Sequence, residues 1–216
     1  LTLRSREAGD YWASLKAHVE RLIRVDSIIG YLDPGILGIL RRLNSLEGLA
    51  TTSSCIGRIT FIEGERHWDR SGSRIVYKTH TRITAGALKR VLSRPFPSLW
   101  LKVSGPILHV KTVSVECALH LLEKARRHGF KHSGILSVER GGEAGYTSAV
   151  VEIMSSIDVA IPLRIKGENL VSFEDADKMA STLNALLLEG RRRLEGLADD
   201  LFKDPGPCGP VSSQNP

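Results

Sequence analysis

Thr51-Thr52-Ser53-Ser54-Cys55-Ile56-Gly57-Arg58-Ile59 is a polar run that feeds straight into an apolar strand. Ser, Ser and Cys do not nucleate a core, and a glycine at 57 lets another chain or a ligand approach the backbone closely. Arg58 then offers a planar, permanently charged fork suited to phosphate or carboxylate. Upstream, Asp10 can cap a helix whose Trp12, Leu15, Val19 and Leu22 share one face, and Asp33-Pro34 starts a second helix that Gly48 helps to stop. Downstream, residues 58–62 and 74–79 read as two strands of a hairpin around a charged turn.

The same reading continues to the C-terminus. Thr84 caps a short helix, residues 99–103 and 107–111 are strands split by Gly105-Pro106, and Ser114 caps a helix ending in Lys124, Arg126, Arg127, His128 and Gly129. Residues 133–139 and 148–154 form another hairpin pattern, 159–165 is a strand with Pro162 at an edge or bulge, and Ser172 opens a long last helix. The fold class is α+β: N-terminal helices over 10–50, then a strand–strand–strand–helix unit that recurs as halves at 51–129 and 130–203. Residues 1–203 are read as one domain and 204–216, rich in Pro and Gly, as a disordered tail.

Composition narrows the function classes. The 216 residues carry 30 Lys and Arg against 24 Asp and Glu, a net charge of +6, and Arg outnumbers Lys 20 to 10. That balance favours an anionic partner such as nucleic acid. Three cysteines, Cys55, Cys117 and Cys208, imply neither a disulfide framework nor a metal site. A reducing, cytoplasmic compartment is expected, with no membrane segment. Neither Gly-x-Gly-x-x-Gly after a strand nor a P-loop is present, which excludes a Rossmann methyltransferase.

Three candidate groups carry chemistry. Cys55 is a nucleophile if Arg58 and an imidazole lower its pKa, and otherwise a half-buried cysteine at a strand start. His109 shares a strand face with Ile107 and Lys111, while Lys102 shares one with Trp100 and Ser104; if these faces coincide, Lys102 and His109 converge. His132, Ser133 and Gly134 lie at a helix-to-strand junction, read either as turn residues or as a pocket wall. The glycine at 129 separates His128 from His132, so no metal is assigned.

In this order, the Thr-Ser-Ser-Cys-x-Gly-Arg block, the Lys102…Ile107-Leu108-His109-Val110 strand pair, the Gly129-Phe130-x-x-Ser133-Gly134 junction and Asn184 resemble the tRNA wybutosine-synthesising protein 3 family. The resemblance implies an S-adenosyl-L-methionine-dependent methyltransferase. Its substrate would be N4 of the demethylwyosine-type base at position 37, in the anticodon loop of phenylalanine tRNA. It further implies His109, Lys102 and Cys55 as catalytic groups, with Ser53, Ser54, Gly57, Arg58, His132, Ser133 and Gly134 around the donor. The alternatives are a non-catalytic tRNA- or RNA-binding protein, and a Cys–His hydrolase using Cys55 and His109.

Overall fold

The computed structural model describes residues 3–141 and 146–209. In chain order the elements are α1 (Leu3–Ile28), α2 (Leu37–Ser45), β1 (Leu49–Cys55), β2 (Arg58–Gly64), β3 (Ser73–Thr79), α3 (Ala85–Leu92), β4 (Leu99–Ser104), β5 (Ile107–Thr112), α4 (Val115–Arg127), β6 (Gly134–Gly141), β7 (Tyr146–Met154), β8 (Asp158–Ile165), β9 (Glu168–Asn169) and α5 (Ala176–Lys203). The strands form two antiparallel sheets, ordered β1-β5-β7-β6 and β3-β2-β4-β8-β9. The α+β class is borne out, and a doubly wound parallel sheet is absent among the described residues. No helix among them is long and apolar enough to cross a membrane.

Two compact units divide the chain, and they interleave in sequence. One takes the described parts of residues 1–55, 106–156 and 193–216; the other takes 56–105 and 157–192. The stretches 51–129 and 130–203 each contribute strands to both sheets.

In the first unit, alternation along β5 and β7 puts Leu108, Val110, Ala149, Val151 and Ile153 on one fully buried face. The stripe Cys117, Ala118, Leu121, Leu122 and Ala125 of α4 is buried with them, at the i, i+3, i+4 spacing of an amphipathic helix. Ser114 Oγ caps α4, accepting from the Cys117 amide at 3.1 Å. The polar run at 51–55 is itself the strand β1, not a loop before one: it pairs with β5 along its length and forms an edge of the sheet, so its hydroxyls need no core.

Two sequence expectations are corrected here. Cys117 and Cys208 form a disulfide across 91 residues, their Cα atoms 4.9 Å apart. Spacing could not reveal it, because α4 and the single turn Gly206–Cys208 meet only through the tertiary fold. Residues 204–209 of the expected tail are therefore ordered structure, with Cys208 fully buried; residues 210–216 lie outside the described residues. Gly48 explains part of this contact. A Cβ there would come within 2.9 Å of the Cys208 backbone, whereas the glycine amide donates to the Cys208 carbonyl at 2.8 Å.

Next to the disulfide, the buried Lys124 ammonium donates to Asp200 and Asp204, each at 2.8 Å, and His128 Nε2 meets Asp200 at 3.1 Å. The hydrogen bonds from Lys124 hold both carboxyls below the usual range, and the two carboxylates raise Lys124. The carboxylate contribution is thus present above pH ~4 and lost as pH falls through their depressed folded values. The lysine contribution is present below pH ~10 and lost as pH rises through its elevated one. Replacing Lys124 by Met should cost about 1 kcal/mol near neutrality, because its partners Asp200 and Asp204 are 34% and 66% exposed and water screens them. It should also flatten the acid limb of a melting-temperature profile; a variant with the wild-type profile would refute this account.

In the second unit, Leu99, Leu101 and Val103 on β4 and Ile59 and Phe61 on β2 point into a core covered by Leu88 and Leu92 of α3 and Leu183 and Leu187 of α5. Asn184 clasps the start of α3: its Oδ1 accepts from the Ile83 amide at 2.8 Å and its Nδ2 donates to the Ile83 carbonyl at 2.9 Å. Arg164, almost fully buried, donates to the carbonyls of Leu92, Arg94 and Phe96 at and just beyond the end of α3. Pro162 falls at the register shift between β4 and β8, as its missing N–H requires.

Candidate active site

In the first unit the sheet register sets up one lateral row. Ser53 of β1 lies opposite His109 of β5, His109 opposite Glu152 of β7, and Glu152 opposite Gly134 of β6. Directly opposed residues put their side chains on the same face. A bulge at Thr52 makes the alignment: the register shifts between Thr51 and Ser53, and the Thr52 hydroxyl reaches the His109 carbonyl at 3.3 Å.

His109 Nε2 and Glu152 Oε1 are 3.1 Å apart, with 35% and 25% of the side chains exposed. A carboxylate at that distance requires a proton on Nε2, which leaves Nδ1 as the imidazole lone pair. The pair is open enough to meet a substrate and buried enough to hold one geometry. One residue pair along, Lys111 donates to Tyr11 at 3.0 Å and to Glu139. Burial pulls its pKa down, but these two hydrogen bonds outweigh it and hold the ammonium above its ordinary value.

Ser53 and Ser54 also line a cavity of about 510 Å³ bounded by α1, the 31–33 loop and β1. Its polar lining includes His18, Asp26, Tyr31, Asp33 and Thr52. Lys16 fastens α1 here, donating to the Leu46 and Leu49 carbonyls at 2.7 Å and to that of Asn44; burial pushes its pKa down to about 8. Asn44 ties α2 to β1 through both the Thr51 hydroxyl, at 2.7 Å, and the Thr51 amide, at 2.9 Å.

The other expected residues of this unit divide. Cys55 is half-buried and lies outside the disulfide. Ser133 is turned inward: its hydroxyl accepts from the Met154 amide at 3.0 Å, which fixes the junction. His132 is exposed.

Gly57, Arg58 and Lys102 belong to the second unit, because β4 and β5 lie in different sheets and do not pair. The expectation that the β4 and β5 faces bring Lys102 beside His109 assumed such a pairing. Lys102 instead pairs with Asp158 at 3.1 Å, and Ser104 donates to the same carboxylate at 3.1 Å. Arg58, Ser104 and Asp158 form a second lateral row. Gly57 has φ +93°, and a Cβ there would come 3.0 Å from the Ser104 carbonyl, so the close approach is made by the protein's own β4–β5 turn.

Sequence reasoning missed Glu152, Asp158, Asn44 and the cavity carboxylates Asp26 and Asp33. Glu152 had a visible signal, since it is the single charge in the apolar run from Ala149 to Met154. The others needed the register.

By its sequence, this fold without a Rossmann sheet belongs to a methyltransferase family. Residues 10–203 match the family described as Methyltransferase TYW3, and the chain belongs to it. A relative from Aeropyrum pernix is 45% identical over 177 residues, 82% of this chain and 92% of that one. It is named tRNA(Phe) 7-((3-amino-3-carboxypropyl)-4-demethylwyosine(37)-N(4))-methyltransferase. One from Saccharolobus solfataricus, of the same name, is 36% identical over 190 residues, 87% of this chain and 88% of that one. A crystal structure of a hypothetical protein from Aeropyrum pernix superposes with TM-score 0.70 at 43% identity, covering 79% of this chain and 98% of that one. A Pyrococcus horikoshii protein gives 0.74 at 28%, covering 86% and 93%. The resemblance read from the Ser-Ser-Cys block is borne out. The chain is an enzyme of methyl transfer, and its chemistry requires a methyl donor.

Proposed function

We propose that this protein methylates N4 of the (3-amino-3-carboxypropyl)-demethylwyosine base at position 37 of phenylalanine tRNA, using S-adenosyl-L-methionine, in the cytoplasm. The observation that carries this is the 45% identity, across nearly the whole of both chains, to a relative named for that reaction. Family membership leaves neither the RNA-binding alternative nor the hydrolase favoured.

The residues present fit such a donor. The 510 Å³ cavity is of ligand-site size, and its contents match the molecule's polar parts. Asp26 and Asp33 suit an ammonium or ribose hydroxyls, the Ser53 and Ser54 hydroxyls suit a carboxylate, and Tyr31 suits a purine face. When bound, the donor supplies an electrophilic methyl on a sulfonium. The chain's own work is alignment and proton handling. His109, oriented by Glu152, takes the proton from the reacting ring nitrogen through Nδ1. In this reading Arg58, in the second unit, holds a tRNA phosphate, and Lys102, held there by Asp158, is given no step at the ring nitrogen. Cys55 follows Ser53 and Ser54 on β1, and Gly134, with His132 and Ser133 before it, closes the far end of the His109–Glu152 row.

Calorimetric titration with S-adenosyl-L-methionine, with and without demethylwyosine-bearing tRNA, tests the donor. Saturable binding is expected, weakened about tenfold or more by Asp26→Ala, the scale of one charge-assisted contact. No heat in either condition would remove this donor from the mechanism.

A further inference from the structure

The tip of the β2–β3 hairpin, in the second unit, carries a feature the methyl-transfer chemistry does not use. Trp68 is 65% exposed, a rarity for so large an apolar ring. It packs edge-on against His67 with centroids 4.9 Å apart, and His67 lies 5.0 Å from Trp100. The stack is held from below, where the Trp100 indole donates to the Gly64 carbonyl at 3.1 Å. Most of the outermost ring is therefore left to solvent beside these aromatic neighbours.

Gly64 also lines a cleft of about 480 Å³ that runs from the hairpin tip to Ser98 and Lys166. The charges around it sort by what they already hold. Asp69 is folded into its own turn, accepting from the Ser71 amide at 3.0 Å, the Ser71 hydroxyl at 2.7 Å and the Gly72 amide at 3.2 Å. Those bonds, the hydroxyl's first, keep its carboxyl below the usual range. Glu63 is engaged by Arg74. Exposed Arg66, Arg70 and Lys166 remain, against the exposed carboxylates Glu65 and Glu168.

Lys166 is the second, independent observation. It sits at φ +47°, the one non-glycine residue at positive φ among those described, in the two-residue turn that joins β8 to β9. With Gly167 at φ +87° this is the turn geometry that Asn or Gly fills without strain. A lysine there is costly to the fold, and it is fixed by its amide donating to Ser98 Oγ at 3.2 Å and by the Gly167 amide donating to the Pro97 carbonyl at 2.7 Å. Strain kept at a cleft wall points to use of the side chain.

We propose that the hairpin tip and the cleft beside it bind an unpaired nucleotide of RNA, its base stacked on Trp68 between Arg66 and Arg70 and a flanking phosphate met by Lys166 at the cleft wall. An exposed aromatic face flanked by cations is the pattern by which single-stranded RNA is held without sequence-specific hydrogen bonds. The choice of RNA rests on the tRNA reading above; the stacking surface stands on the geometry alone.

Two variants test it. Trp68→Ala removes an exposed ring and should raise the Kd for tRNA(Phe) about 5- to 150-fold, the range for one lost stack. Donor affinity and kcat at saturating tRNA should not change. Lys166→Asn relieves the turn, so its melting temperature should equal or exceed that of the wild type while tRNA(Phe) binding weakens several-fold and its salt dependence becomes shallower. As a probe independent of the enzyme's substrate, oligoadenylate should quench a fluorescence component that is missing in Trp68→Ala. If tRNA(Phe) is methylated and both variants keep wild-type KM and Kd, the cleft is not an RNA site and the methyl-transfer reading stands. If tRNA(Phe) is not methylated but oligoadenylate still quenches Trp68, the cleft stands and that reading falls. No quenching and no change in either variant overturns the cleft.

Discussion

Replacing His109 by Ala should lower kcat for methyl transfer by about 10²–10⁴-fold, the usual contribution of a positioned general base, and leave tRNA affinity nearly unchanged. The reacting ring nitrogen loses a proton as it gains a methyl, so the group that takes the proton acts on the chemical step and not on docking. His109 is placed for this by register: Ser53 and Glu152 flank it across the sheet, and Glu152 at 3.1 Å keeps the proton on Nε2. Glu152→Gln should show the same signature at smaller size, because an amide can present its NH₂ to the ring and no longer selects one tautomer. Single-turnover rates and separate tRNA binding curves read the split. An unchanged kcat in His109→Ala would end the base assignment, and a rise in KM alone would make His109 a binding residue.

The second large effect concerns the fold. Replacing Cys117 and Cys208 by Ala should lower stability by about 4 kcal/mol, because the cross-link removes the closure entropy of a 91-residue loop from the unfolded chain. Both sulfurs belong to fully buried residues, so the two smaller side chains add a packing loss of the same sign. Urea unfolding with and without a reductant measures it: wild type should shift to a lower midpoint on reduction and the double variant should not. Equal midpoints for wild type in both conditions would show that the cross-link adds nothing.

How much of this was legible from sequence follows from the range of the forces involved. Ser114 and Thr84 were read as caps because capping is settled within three residues, and both accept the amides expected of them. The hairpin β2–β3 and the pair β6–β7 were read from alternation and intervening turns, which are also local. His109 stood out as a polar residue between apolar neighbours. What escaped were relations that join distant segments. Nothing near Cys208 announces Cys117, and nothing near Glu152 announces His109 some forty residues earlier. The sheet assignments of β4 and β5 escaped for a related reason. Gly105-Pro106 reads as a turn, and a turn between two strands normally makes a hairpin, whereas here the Gly105 amide bonds to the Ile157 carbonyl while Pro106 accepts from Ser155. The chain changes sheets at that dipeptide, and no local pattern encodes such a change.

The interleaving of the two units has a consequence for the protein's birth on the ribosome. β1 leaves the exit tunnel with no strand to join until β5 follows some fifty residues later, and its sheet is incomplete until β7 has been made. The helical end of the same unit and Cys208 come last of all. Until β5 has been made β1 is therefore an unpaired strand, the kind of segment that recruits other nascent chains. Its sequence, Thr51-Thr52-Ser53-Ser54-Cys55, is one that stays solvated while it waits. The hydroxyls that line the candidate donor cavity in the finished enzyme thus also act as its safeguard during synthesis.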